Sequence, residues 1–165
     1  MIDLPATVGG FLRRPQTAAD LPFLARLMSS AREVERDLFP GDPAVWDALM
    51  AQQAAAQDHH YRAHYPGATF DILEHAGQPV GRLALCELGD EIRVMDIALL
   101  PGFRGQGHGT LVLRAVMARA AARGLAVRLH VEAFNRAGHL YDRLGFTMVQ
   151  DKGVHKLLEW RPSSF

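Results

Sequence analysis

The chain has 165 residues, 48% of them apolar and 22% charged, with 18 Lys and Arg set against 18 Asp and Glu. That length suits one domain burying roughly two-thirds of its unfolded surface, and zero formal charge gives no electrostatic footprint for nucleic acid. The single cysteine, Cys86, excludes an internal disulfide framework, and no apolar run approaches the ~18 residues of a membrane span, so the reading is a soluble cytoplasmic domain without nucleic-acid or membrane partners.

Residues 1–9 read as a loose lead-in and Gly10 to Arg14 as a short first strand. Thr17-Ala-Ala-Asp20 has the form of a capping box. Leu21, Leu24, Leu27 and Met28 follow at helical spacing, which places a first helix at about 18–36. Its end carries Glu33 and Glu35 among arginines, either a solvated helix end or carboxylates turned toward a ligand. Asp42-Pro43 starts a second helix, with aspartate at the cap and proline in the first turn, running to about residue 64. His60 and His64 stand four apart on it. No third ligand and no intervening glutamate accompany them, so no metal is expected.

Three strands come next. Thr69 to His75 and Val80 to Leu88 flank Ala-Gly-Gln-Pro, a hairpin signal, and Glu91 to Leu100 follows the turn Gly89-Asp90, so the three make an antiparallel meander. Cys86 lies in the apolar middle strand and reads as a small core hydrophobe.

The third strand runs into Pro101-Gly-Phe-Arg-Gly-Gln-Gly-His-Gly-Thr110 and then a helix at about 106–123, with Leu113, Val116, Met117 and Ala120 on one face and Gly124 as its stop. A strand, a glycine turn and a helix N-terminus form an anion site. Glycines let the backbone come close to a ligand, their N–H groups point outward, and the helix dipole favours negative charge. Arg104 adds a cation able to grip phosphate oxygens. The dinucleotide fingerprint G-x-G-x-x-G fails, because Thr110 stands where the third glycine belongs. The nucleoside-triphosphate loop also fails, since His108 and Gly109 occupy the places of its Lys and Ser/Thr. What remains is a pyrophosphate cradle of the form Arg104-x-x-Gly107-x-Gly109. Downstream, Ala126 to Glu132 reads as a strand parallel to Glu91–Leu100 through a right-handed crossover, Asn135 to Leu144 as a helix closed by Gly145, and Phe146–Gln150 with Val154–Trp160 as a terminal hairpin.

The glycine loop directly after a strand, followed by Asn135-Arg-Ala-Gly-His-Leu-Tyr141-Asp-Arg-Leu-Gly145-Phe146, resembles the GCN5-related N-acetyltransferases (GNAT). The resemblance implies a mixed α+β fold in a single domain, ordered from about 10 to 160. Its sheet would be mostly antiparallel, with six to seven strands and a parallel, splayed central pair, flanked by about four helices. It implies an enzyme that transfers the acetyl group of acetyl-CoA to a primary amine, on a small molecule or a protein, by direct attack in a ternary complex and without a metal. A monomer or homodimer is expected.

The resemblance also assigns roles. The amides of Arg104, Gly105, Gln106, Gly107, His108, Gly109 and Thr110 would bind the coenzyme A pyrophosphate, His108 by its backbone only. Ile97, Ala98 and Leu99 would hydrogen-bond the pantetheine amides, with the Leu99 N–H as oxyanion donor, while Asn135 would contact the pantetheine arm. Tyr141 would act as general acid at the sulfur, since a phenol of pKa about 10 can protonate a departing thiolate. Asp96 is the first choice of general base, with His130, Glu132, Glu33 and Glu35 as alternatives. Trp46, Tyr61, Tyr65 and Trp160 either line an acceptor cleft or serve as packing. Two other classes remain, a catalytically silent acyl-CoA-binding sensor and a nucleotide-binding module.

Overall fold

The computed structural model describes residues 2–133 and 138–164. Its strands are β1 (Thr7–Val8), β2 (Phe11–Pro15), β3 (Thr69–His75), β4 (Gln78–Leu88), β5 (Glu91–Leu99), β6 (Ala126–Glu132), β7 (Thr147–Asp151) and β8 (His155–Trp160). Its helices are α1 (Leu21–Ser30), α2 (Glu33–Asp37), α3 (Pro43–His64), α4 (His108–Ala122) and α5 (Gly138–Arg143). All eight strands form one sheet in the order β1-β2-β3-β4-β5-β6-β8-β7, antiparallel throughout except for the parallel pair β5–β6. The fold is therefore the mixed α+β arrangement expected, with one more strand and one more helix.

Local chemistry accounts for most of these elements. Ala76 and Gly77 both take positive φ, 50° and 76°, the tight turn that matches the twist of a two-residue hairpin between β3 and β4. Strand β4 is buried without interruption from Val80 to Cys86, as a central strand covered on both faces must be. On one face, α4 packs Val112, Leu113, Val116 and Ala120 against Leu83, Leu85, Ile92 and Val127. On the other, α1 and α3 bring Phe23, Leu24, Leu27, Trp46 and Met50 onto Ile72. Cys86, 2% exposed, is part of this buried strand.

Two sequence expectations need correction. The lead-in is not loose, because Ile2, Leu4 and Val8 are buried in the α4-side core and β1 pairs with β2. The first helix does not run through 18–36. A single 3-10 turn at Ala18–Asp20 leads into α1, and α2 is a separate short helix. The break is local: Ser30 Oγ donates to the Leu27 carbonyl at 2.7 Å, and Arg32 leaves the helical region at φ −121°, ψ 41°.

Strand β5 carries the feature that positions the site. Its pairing with β4 shifts register between Ala84, opposite Asp96, and Leu85, opposite Val94, so Met95 is an extra, bulged residue. Its parallel pairing with β6 runs from Glu91–Ala126 to Val94–Leu129 and ends there. Beyond the bulge, among the described residues, β5 pairs with β4 and with no other strand.

Candidate active site

A cleft of about 720 Å³ opens where β5 and β6 part. Its floor is the unpaired half of β5, Ile97 to Leu99. One end is the glycine loop with Gly105, Gly107, Gly109 and Thr110, and the opposite wall is Glu132 of β6 with Leu140, Tyr141 and Arg143 of α5.

The loop has the form of an anion cradle. Gly105 and Gly107 take φ of 71° and 84°, a left-handed conformation costly for residues with a Cβ, and Gly107 caps α4 in that conformation. The first helical bond at this end is donated by Leu111 N to Gly107 O at 3.2 Å. Helix geometry leaves the N–H groups of His108, Gly109 and Thr110 ahead of it without helical acceptors. Side chains of the loop fasten it from behind. His108 Nδ1 meets the Gly9 carbonyl at 2.9 Å and its ring packs on Phe11, while Gln106 Nε2 donates to Gly102 O at 2.8 Å. Neither Gln106 nor His108 lines the cleft.

Arg104 differs from its sequence reading. Its guanidinium is engaged within the protein: Nε donates to the Leu99 carbonyl at 2.8 Å and Nη2 to Ser30 Oγ at 3.1 Å. It braces the end of β5 against the end of α1. The cation on the far wall of the cleft is Arg143, which the sequence reading did not single out. Its signal was its place two residues after Tyr141 on the same short helix.

The unpaired half of β5 presents backbone groups to the cleft in alternation. Leu100 N donates to Val80 O at 2.8 Å, so in this antiparallel register Ala98 exchanges bonds with Arg82, whereas Leu99 and Ile97 point away from β4. The Leu99 carbonyl, which accepts from Arg104 Nε, points in that same direction. Ile97 and Leu99 thus offer amides to a ligand lying along the strand, and Ala98 lines the cleft with its backbone already bonded.

Tyr141 lines the cleft with 7% of its surface exposed, held edge to face against Phe146 at 5.8 Å between ring centroids. Burial, and then the charge of Asp96, raises the pKa of its phenol. Asp96 is turned to the α3 face of the sheet, because the bulge at Met95 reverses the side-chain alternation after it. It is not part of the cleft lining, yet 29% of its side chain is accessible. Burial raises its pKa, opposed by the charge of Arg82 and by the nearby Ile97 N–H.

The other base candidates lie elsewhere. His130 is exposed on β6, and partial desolvation with Arg93 and Lys152 nearby lowers its pKa. Glu132 is exposed at the cleft edge, whereas Glu33 and Glu35 are exposed on α2 outside the lining. Asn135 lies outside the described residues. Of the aromatic residues named from sequence, Trp46 is packing: it is 5% exposed and its indole N–H bonds Ser29 Oγ at 2.9 Å. Tyr61, Tyr65 and Trp160 are not in the cleft lining, and Tyr61 instead points its hydroxyl at the Met95 carbonyl, 3.4 Å away. Among the described residues, no helix is long and apolar enough to cross a membrane.

Comparison with known proteins agrees with this geometry. The model of the Acetyltransferase (GNAT) family matches residues 30–146. No curated protein matches the chain in sequence. Among solved structures, the PaiA N-acetyltransferase of Thermoplasma acidophilum, crystallised in complex with coenzyme A, is 15% identical with a TM-score of 0.69, covering 92% of this chain and 99% of that one. The PH1933 protein of Pyrococcus horikoshii gives a TM-score of 0.71 at 16% identity over 92% of this chain and 96% of its own. The ribosomal-protein-S18-alanine N-acetyltransferase of Escherichia coli gives 0.62 at 18% identity over 94% and 96%. At such identities the likeness is one of fold.

Proposed function

The chain belongs to the GNAT acetyltransferase family, and from that premise we propose that it moves the acetyl group of acetyl-CoA onto a primary amine by direct attack. The observation that carries this reading is the end of β5–β6 pairing at Val94–Leu129, above which the Ile97 and Leu99 amides face a cleft bounded by the glycine loop and Tyr141. The coenzyme supplies an activated thioester. The loop amides from Gly105 to Thr110 bind its pyrophosphate, Arg143 faces the same anion from the opposite wall, and Ile97 and Leu99 hold the pantetheine arm like an added strand.

Asp96 takes the proton from the acceptor ammonium, through water. The free amine then forms the new C–N bond, and the Leu99 N–H receives the oxyanion. Such a preorganised donor is worth about 3 kcal/mol. As the C–S bond breaks, Tyr141 gives its proton to the sulfur, and the second proton shed by the acylated nitrogen returns through water to the phenolate. The electrostatics support this order. A phenol whose pKa is raised by burial and by the Asp96 charge stays protonated until needed. Once Asp96 has become neutral by accepting the amine proton, the charge that held the phenol back is gone, and Tyr141 becomes the stronger acid.

The reading is tested by following thiol release from acetyl-CoA against a panel of amines, small molecules and peptides with free amino groups, with mass spectrometry of the acceptors. Acetyl-CoA-dependent acetylation of at least one amine, lost in Asp96→Asn, is the expected result. Tight coenzyme binding with no thiol release from any amine would favour a silent acyl-CoA sensor instead.

A further inference from the structure

Beneath Asp96 lies a cation that the reaction as described does not use. Arg82, on β4 opposite Ala98, is 2% exposed. Its Nη1 donates to Gln57 Oε1 at 3.1 Å and stands 3.7 Å from Asp96 Oδ2, while Nη2 stands 3.8 Å from Asp58 Oδ1. The guanidinium also lies over the rings of Tyr61 and Phe70, at 5.8 and 5.6 Å from their centroids. Among the described residues, Nε and Nη2 find no hydrogen-bond acceptor. A buried guanidinium this incompletely bonded is poorly explained as a stabilising device, because desolvation of the charge offsets most of what long ion pairs return.

The surroundings point to the carboxylate it serves. Asp58 has closer partners of its own, Arg62 Nε at 3.1 Å and Gln16 Nε2 at 2.8 Å. For Asp96, Arg82 is the one cation within ion-pair distance among the described residues. Along α3, the buried face Trp46, Met50 and Ala54 gives way to Gln57, Asp58 and Tyr61 where the helix passes Arg82. The helix therefore ends its apolar stripe in a polar seat for one charge.

We propose that Arg82 is a positioning residue, the buried counter-charge that holds the Asp96 carboxyl beside the β5–β6 gap and keeps it ionised for proton uptake. This rests on Asp96 being the base. The groups that face Asp96 are Arg82 from β4, Tyr61 from α3 and, across the gap, Tyr141 from α5, with Asp58 acting through Arg82. Arg82 is the only cation in this set, and its charge opposes the effect of burial. The sign follows. An acid with a raised pKa is an effective base only above that pKa, so the rate falls as pH drops through it. Removing Arg82 moves this limb to higher pH.

The test follows the Asp96 carboxyl directly, by 13C NMR titration of aspartate-labelled protein, with the signal assigned by its loss in Asp96→Asn, alongside kcat/KM against pH. Arg82→Met is expected to raise the Asp96 midpoint by roughly one unit or more, and the acidic limb with it. Arg82→Gln, which keeps a partner for Gln57 without the charge, gives the same reading if the methionine variant does not fold. Arg82→Lys, restoring charge, brings the midpoint back toward wild type. An unmoved midpoint in the uncharged variants, or an equal shift in the lysine and glutamine variants, overturns the proposal. Failure of the base reading looks different: Asp96→Asn would retain kcat/KM and its acidic limb, whatever Arg82 does to the carboxyl midpoint.

Discussion

The two halves of β5 are built from similar residues and behave oppositely. Below the bulge, Glu91 to Val94 pair with β4 and β6, and the ends of the strands are tied by charge. Arg93 Nε meets Glu91 Oε2 at 2.9 Å, Arg128 Nη1 meets Glu91 Oε1 at 3.1 Å, and Arg128 Nε meets Glu159 Oε2 at 2.7 Å. Above the bulge, the Ile97 and Leu99 amides have no partner strand among the described residues, and the nearest ion pair, Arg82 with Asp96, is long and only partly bonded. One extra residue, Met95, separates a half that holds the sheet together from a half that leaves groups free for a ligand. The lesson is that the open half depends on the closed one: amides can stay unpaired at a cleft because the neighbouring register is held elsewhere.

Substitutions in each half sharpen this contrast. Tyr141→Phe removes the proton donor facing the open half and nothing else of size, so kcat falls about 100- to 1000-fold while coenzyme A affinity measured by calorimetry stays close to wild type. A parallel loss of affinity would contradict the acid role. Arg128→Met breaks the closed half, leaving Glu91 and Glu159 without their common partner. Because Glu91 is buried but keeps Arg93, and Glu159 keeps Arg161, the expected loss is about 2 kcal/mol, a fall of several degrees in Tm, with coenzyme affinity unchanged. Gly107→Ala places a methyl in open space, so its effect comes from φ of 84° alone. Where the free loop relaxes to escape that strain of about 1 kcal/mol, binding must restore it and coenzyme A binds roughly fivefold more weakly; where the loop keeps its conformation, the same strain appears as lost stability.

Much of the fold was legible in the sequence, because it is written in local signals. The meander from Thr69, the glycine loop after a strand and the stop at Gly124 each depend on residues within a few positions of one another. The family resemblance implied a splay, often at a bulge, but the position of that bulge was not legible, since a register shift is a relation between Met95 and a partner strand rather than a property of Met95. The partners of Arg104, which lines the cleft, were hidden for a similar reason: its bond to Ser30 spans 74 positions. Arg82 went unnoticed because an arginine within an apolar strand gives no sign of which carboxylate it faces. The hidden β1 was masked by Pro5, which has no N–H to give a ladder and so argues against a strand, although Ile2, Leu4 and Val8 keep an even-position alternation.

The most direct test of the central claim, that the open half of β5 and the glycine loop form a coenzyme A site, is the change in Tm on adding acetyl-CoA, coenzyme A and ATP separately. At a ligand concentration 100 times Kd, binding adds about 2.7 kcal/mol, or roughly 5–10 °C for a domain of this length. The account predicts that acetyl-CoA and coenzyme A both raise Tm and that ATP does not. Stabilisation by ATP alone, or by none of the three, would contradict it.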